Sequence, residues 1–371
     1  MSELPTEAWL NALSGLSGMG PARLGRILAR FPARDAWVHL QGATERDALT
    51  AAVGRSGPRL VQQWCREARG TDVAAAWQAV VDAGIGVAAF GAAAYPHAFA
   101  NDPEPPAVVY HCGDPGRIAA RRVAIVGTRR CSRYGAEVAR EFGFELAAAG
   151  VSVVSGLALG IDAAAHRGAL HAAGAAPVAV VGSGLDVVYP RANSDLWSAV
   201  GSTGVIFSEA PLGVEPAPWR FPARNRLIAA LADLVVVVES HRRGGSMHTV
   251  AEAAARDRQV LAVPGPIRSA ASLGTNQLLA EGCAPASGVD DILMALGMTA
   301  GSSSSAVVAE RELDEEASVV LAALGWSPRT FAQVCEASPL GPAAVAAGVA
   351  RLVDAGLVVE SGAWLERSAA L

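Results

Sequence analysis

The sequence predicts an α/β protein whose core is a doubly wound, parallel sheet. The runs RVAIVGTR, GVSVVSG, PVAVVGSG, GVIFSEA, DLVVVVES and QVLAVPG, between residues 121 and 265, are apolar at successive rather than alternate positions, as strands buried on both faces must be. Helical patterns stand between these runs, and a parallel sheet needs such crossovers because a tight hairpin cannot connect parallel strands. The runs also lead into turns rich in Gly, Ser and Arg, at the carboxyl edge where sheets of this class collect ligands.

The rest of the chain frames this core. At 371 residues it is long enough for two or three domains. Its 51% apolar and 18% charged composition is globular rather than disordered. No uninterrupted apolar stretch is long enough for a membrane span, and MSELPTEAWL lacks the basic start and apolar core of a signal peptide, so a cytoplasmic location is expected. Cys65, Cys112, Cys131, Cys283 and Cys335 are scattered singly, which argues against a zinc site or a disulfide framework.

A net charge of −5 and a pI near 5.8 argue against a protein that coats duplex DNA by charge alone. That average hides a division, because residues 117–268 carry 17 Arg against 12 Asp plus Glu. The centre is basic and the flanks are acidic. All 30 basic side chains are Arg, with no Lys, so every cation can make forked contacts to phosphate and stack on a flat ring.

Along the chain, residues 1–70 read as a helical module. LPTEAWLNALSGLSGMGPARLGRILARF gives two helices joined by GMGP, with Pro21 in the first turn of the second, where its missing N–H costs nothing. A helix-hairpin-helix of this kind can aim backbone N–H groups at phosphate, and it can equally be a packing module. Residues 72–298 then form the α/β domain, starting with an Ala-rich helix, the short strand IGVAAF and a proline-punctuated lead-in. TAGSSSSAVVAERELDEE reads as a flexible tether, assigned to residues 299–312,. Residues 313–371 give three helices and a two-stranded hairpin, the order of a winged helix. The segment in the place of its reading helix, 339–354, holds only Arg351 as a cation, which makes a protein contact as plausible there as DNA reading.

The polar peculiarities gather at the predicted carboxyl edge. GTRRCSRYG supplies Gly127 for close approach, Arg129, Arg130 and Arg133 for charge, and Tyr134 as a ring. SGLALGID places Ser155 and Gly156 ahead of a helix. WRFPARNR sets Arg220, Arg224 and Arg226 around Phe221, and SHRRGGSMHTVAEAA opens a helix at Gly244, Gly245, Ser246 and Thr249. Free N–H groups at helix starts and a surplus of Arg suit several phosphates. Phe221 and Tyr134 suit something flat, and a nucleic-acid strand satisfies both demands.

Other chemistries find less support. GTRRCSRYG is not GxGxxG, the next strand ends in Ser155 and Gly156 rather than an acid, and a Walker loop is impossible without Lys,. Dinucleotide binding and ATP hydrolysis are therefore disfavoured. Asp162 and His166 share a helical face, but no exposed Ser or Cys elbow accompanies them, so His166 is expected to tether its helix to the sheet. Glu209 and Glu239 end strands and are expected to anchor neighbouring Arg or loop N–H groups.

VAIVGTR, SRYG, VSGLALGIDAAAHRGAL, GLDVVYP, SEAPLG, FPARNRLIAAL, VVVVES, AVPGPI and SLGTNQLL follow one another over about residues 95 to 285. This ordered set closely resembles the DNA processing protein A (DprA, also called Smf) family of bacterial recombination mediators. The resemblance implies an extended Rossmann fold with a helix-hairpin-helix or SAM-like module in front and a winged helix behind. It also implies binding of single-stranded DNA, homodimerisation, and loading of RecA recombinase onto strands covered by single-strand-binding protein in natural transformation and DNA repair, with neither catalysis nor a cofactor. Arg129 matches the GTR arginine that looks like a phosphate ligand, Phe221, Arg224 and Asn225 match the FPxRN element, and Gly245, Ser246 and Thr249 fall in the Gly-Ser turn. The expected contacts to single-stranded DNA are thus Gly127, Arg129, Arg130, Arg133, Ser155, Gly156, Phe221, Arg224, Asn225, Arg226, Gly245, Ser246 and Thr249. The chain departs from the family pattern at Leu159 and Ala176, where cations are customary, and at Gly244 and His248 in the Gly-Ser turn.

Two other readings are open. GGSMHTVAE has a faint likeness to the motif of lysine-decarboxylase-like phosphoribohydrolases, with Glu252 as the acid. A duplex-specific regulator would instead act through the winged helix.

Overall fold

A computed structural model describes residues 4–54, 57–298, 314–325, 328–355 and 357–367. The expected tether at 299–312 lies outside the described residues.

The central sheet consists of β1 (Gly86–Ala89), β2 (Val108–Gly113), β3 (Arg122–Val126), β4 (Ser152–Ser155), β5 (Val178–Val181), β6 (Val205–Ser208), β7 (Leu234–Val237), β8 (Gln259–Ala262) and β9 (Ala284–Pro285). Their order across the sheet is β1-β2-β6-β5-β4-β3-β7-β8-β9. All pairings from β6 to β9 are parallel, while β2 joins β6, and β1 joins β2, antiparallel. The six apolar runs of the sequence are β3 to β8, so the doubly wound α/β class holds.

Each strand divides its side chains between two layers, as the two-residue period of a strand requires. Val123, Ile125, Val153, Val236 and Leu261 pack with Phe142 and Leu146 of helix Arg133–Ala148 and with Ile161 and Ala165 of helix Ile161–His171. Ala124, Val126, Val154, Val235 and Val237 face the other way, onto Leu227, Ile228 and Leu231 of helix Arg220–Leu231 and Ala253 of helix Ser246–Ala254. Both faces are covered, which is why these strands carry no polar alternation.

At the amino end, helices Thr6–Ser14 and Pro21–Leu28 form the expected pair, with Gly20 as N-cap and Pro21 at the first helical position. Helices Ala33–Gly42, Arg46–Val53 and Gly57–Gly70 complete the bundle around Trp37 and Trp64. The module shares one continuous core with Val108, Tyr110, Val181 and Ile206 of the sheet. Tyr110 donates from its hydroxyl to Asn11 Oδ1 at 3.0 Å inside that junction, which seats the module against β2.

The carboxyl-terminal segment folds around Val320, Leu324, Val345, Leu352 and Leu365. It contains helices Glu315–Leu324, Phe331–Ala337 and Pro342–Asp354, then strands Val358–Ser361 and Trp364–Arg367. A two-residue strand, Arg329–Thr330, adds to the hairpin through Trp364 and Leu365, making the sheet three-stranded rather than two-stranded. Among the described residues no helix is long and apolar enough to cross a membrane.

Candidate functional site

From β3 the chain winds outward through β4, β5 and β6, then returns to place β7 on the other side of β3. The crevice at such a reversal opens outside the carboxyl ends of the strands. Into it project the turns after β3, β4, β5 and β7, and helix Arg220–Leu231, which follows β6.

WRFPARNR forms the start of that helix: the helix begins at Arg220, with Pro222 inside its first turn, where a missing N–H breaks no bond. Helical register then sorts its side chains. Phe221 and Arg224, three apart, share a face and line an open cavity of about 310 Å³ with open solvent included. Arg226, two residues beyond Arg224, points elsewhere. Its guanidinium pairs with Glu209 and donates to Glu104 O at 2.8 Å, so this expected contact residue is already engaged within the protein.

The cavity is aromatic and cationic. Tyr189 stacks on Phe221 with ring centroids 5.6 Å apart and planes 29° from parallel. The Arg129 guanidinium lies 4.7 Å from the Phe221 centroid, a cation–π distance. Arg129 is exposed and Tyr189 is 39% exposed, so the stack is presented to solvent. Leu159, 42% exposed, borders the same cavity, an apolar side chain where the family pattern has a cation. Tyr189 was not among the expected contacts. Its only signal in the sequence is the YP that closes GLDVVYP.

Arg224 forms the floor. It is 7% exposed, and Nη1 donates to Gly156 O at 2.9 Å and to Val180 O, while Nε donates to Asn225 Oδ1 at 3.2 Å. A Cβ at residue 156 would lie 2.5 Å from the Arg224 guanidinium nitrogens, so any side chain there would push the guanidinium off its carbonyl partners. Asp162, buried, accepts the Gly156 N–H at 3.1 Å. Burial raises the Asp162 carboxyl and Arg224 opposes that rise, while burial draws the Arg224 guanidinium down to about 10. Arg224 therefore supplies fixed positive charge under the cavity, with Nη1 committed to two backbone carbonyls and Nε to the Asn225 side chain. The residue expected to hold phosphate thus lies buried beneath the cavity, between the turn after β4 and β5.

The remaining expected residues separate into exposed and structural groups. Arg130 and Arg133 are exposed on the turn after β3, which Glu239 holds by accepting Ser132 N–H at 2.8 Å and Ser132 Oγ–H at 2.6 Å. Gly127 serves packing, since a Cβ there would lie 2.5 Å from Ile161 and 2.8 Å from Glu239 O. Ser155 is fully buried and donates to Ile125 O at 2.7 Å, so its hydroxyl faces the sheet. In the turn after β7, Gly245 is exposed and its carbonyl accepts from Asn225 Nδ2 at 3.3 Å. Ser246 Oγ donates to Ser240 Oγ at 2.7 Å, and Thr249 is buried, so neither of these two side chains faces outward. Ser155, Asn225, Ser246 and Thr249 thus shape the site from beneath.

The strand-end acids and the helix histidine take structural positions. His166 Nε2 lies 3.1 Å from Val178 O, and burial pulls the imidazole down to about 4. Glu252 bonds to Arg256, which also pairs with Asp102, so its carboxylate is already occupied.

The described geometry matches a known family. Residues 86–297 fit the model of DNA recombination-mediator protein A. A relative from Mycobacterium tuberculosis is 42% identical over 252 residues, covering 67% of this chain and 64% of the relative's length. The X-ray structure of DNA processing protein A from Streptococcus pneumoniae superposes with a TM-score of 0.63 at 29% identity, over 79% of this chain and 98% of that one. A structure of the Helicobacter pylori DNA processing protein A, described for its single-stranded DNA binding mode, gives a TM-score of 0.52 at 30% identity, over 57% of this chain and 95% of that one. With all nine strands of its central sheet inside the matched region, this chain belongs to the DNA recombination-mediator protein A family.

Proposed function

We propose that this protein binds single-stranded DNA at the carboxyl-edge crevice and acts as a recombination mediator. The observation that carries the reading is the Arg129–Phe221–Tyr189 stack above the buried charge of Arg224. A stacked pair of rings offers a face to a base, which only an unpaired strand can present. Exposed Arg129, Arg130 and Arg133, the exposed backbone at Gly245 and fixed Arg224 suit the phosphates on either side. The acidic chain average disfavours duplex binding by bulk charge. The Helicobacter pylori relative's described single-strand binding supports the same assignment.

On this reading the protein is a binder rather than an enzyme. Asp162 and Glu239, the acids beneath the crevice, are engaged by loop N–H groups. Loading of RecA onto strands held by single-strand-binding protein, action as a homodimer and a place in natural transformation follow from the family resemblance. The winged helix is assigned to protein contact, because its candidate reading helix spends its cation, Arg351, on Asp314 and Glu316.

The test is anisotropy titration of labelled oligo-dT and of a matched duplex across a salt series. If five or six phosphates are engaged, log K falls with log salt at roughly −0.7 per contact for the single strand, and the duplex binds much more weakly. Equal affinity for duplex, or release of free base from nucleoside monophosphates, would overturn the proposal. A RecA strand-exchange assay on strands precoated with single-strand-binding protein tests the loading step.

A further inference from the structure

Trp219 is 56% exposed, and the Phe221 cavity does not account for it. The Arg220 guanidinium lies 4.4 Å from its ring, repeating the arrangement of Arg129 over Phe221 two residues along. Arg220, Arg224 and Leu227 recur at helical spacing and so share one face of helix Arg220–Leu231. That face borders a second cleft, of about 650 Å³ with open solvent included. The opposite wall belongs to the amino-terminal module, through Met19, Gly20, Pro21 and Leu24. Arg224 lines both clefts, so the two adjoin across that one side chain.

The charge of the second cleft suits the same ligand. Arg220 has no acidic partner among the described residues. Glu209, the acid on the cleft wall, is neutralised by Arg226. The lip therefore offers a large aromatic face and an uncommitted cation, beside a helix that starts at Pro21.

Resting on the single-strand reading, we propose that this cleft receives the adjoining nucleotide of the same strand. Trp219 stacks on its base, Arg220 turns from the ring to its phosphate, and the amino-terminal module forms the outer wall of the strand's path. The module is thereby part of the DNA site.

The experiment uses the full chain and a ladder of labelled oligo-dT from about 4 to about 16 nucleotides, the span over which single-strand sites differ in size. Trp219→Ala is expected to leave the shortest oligomers unaffected and to weaken the longest by roughly 5- to 150-fold, the equivalent of one stacked base. Trp219→Phe retains most of the affinity, and quenching of tryptophan emission by long oligo-dT shrinks in both variants. Pro21→Glu, which places a carboxylate on the far wall where the start of a helix tolerates it, weakens only the long oligomers. Phe221→Ala loses affinity at every length. A Trp219→Ala protein that matches the parent along the whole ladder, or weakens equally at all lengths, overturns the second subsite and leaves the Phe221 site standing. A parent chain that binds no oligomer refutes both.

Discussion

Replacing Arg224 with alanine removes a guanidinium that holds Gly156 O, Val180 O and Asn225 Oδ1 and faces buried Asp162. Leaving those three buried acceptors without a donor costs about 1–3 kcal/mol each, roughly 3–5 kcal/mol together at the lower end of that range, and takes a compensating positive charge from Asp162. In a domain of this size that lowers the melting temperature by roughly 6–20 °C. The loss also depends on pH. Asp162 already sits above its ordinary value because of burial, with Arg224 opposing. Without Arg224 it rises further, and the folded state then binds a proton more tightly than the unfolded chain. Stability of the variant therefore falls as pH climbs from the ordinary carboxylate range through the raised Asp162 value, and acid narrows its gap to the parent. Thermal melts of parent and variant over a pH series read both effects. A variant that melts with the parent at neutral pH, yet loses oligo-dT affinity, would show that Arg224 is a surface ligand and not the floor of the site.

Other expectations follow from the same geometry. Arg129→Ala leaves the melting temperature unchanged, because the side chain is exposed, but weakens oligo-dT binding and flattens the salt slope by roughly 0.7, one phosphate's share. Burial pushes the Glu209 carboxyl up to about 7 against the pull of Arg226, so its contribution to stability is present below pH 4.5 and lost as pH rises through 7,. Glu209→Gln should flatten that part of a melting-temperature profile, and an unchanged profile would refute the assignment. Arg351→Ala should leave affinity for single and double strands unaltered in the anisotropy titrations, since its guanidinium is already held by Asp314 and Glu316.

Local pattern and tertiary placement divided the work between them. The sequence by itself determined the sheet: runs such as RVAIVG and DLVVVVES are apolar at every position, and only burial on both faces tolerates that. It also pointed to the place of the candidate site, because turns at the carboxyl ends of a parallel sheet converge whatever their composition, and Arg129 and Phe221, which the structure brings together, stand in two segments that the sequence singled out. Helical register separates Arg224 from Arg226 once WRFPARNR is a first helical turn,. Tertiary structure alone decided what each polar side chain does. Tyr189 reaches Phe221 from the turn after β5, and the Glu209 and Glu104 that occupy Arg226 lie on segments distant in the chain. Whether a guanidinium serves as ligand or support depends on which carbonyls and carboxylates surround it, and long-range packing sets those neighbours where no local spacing records them.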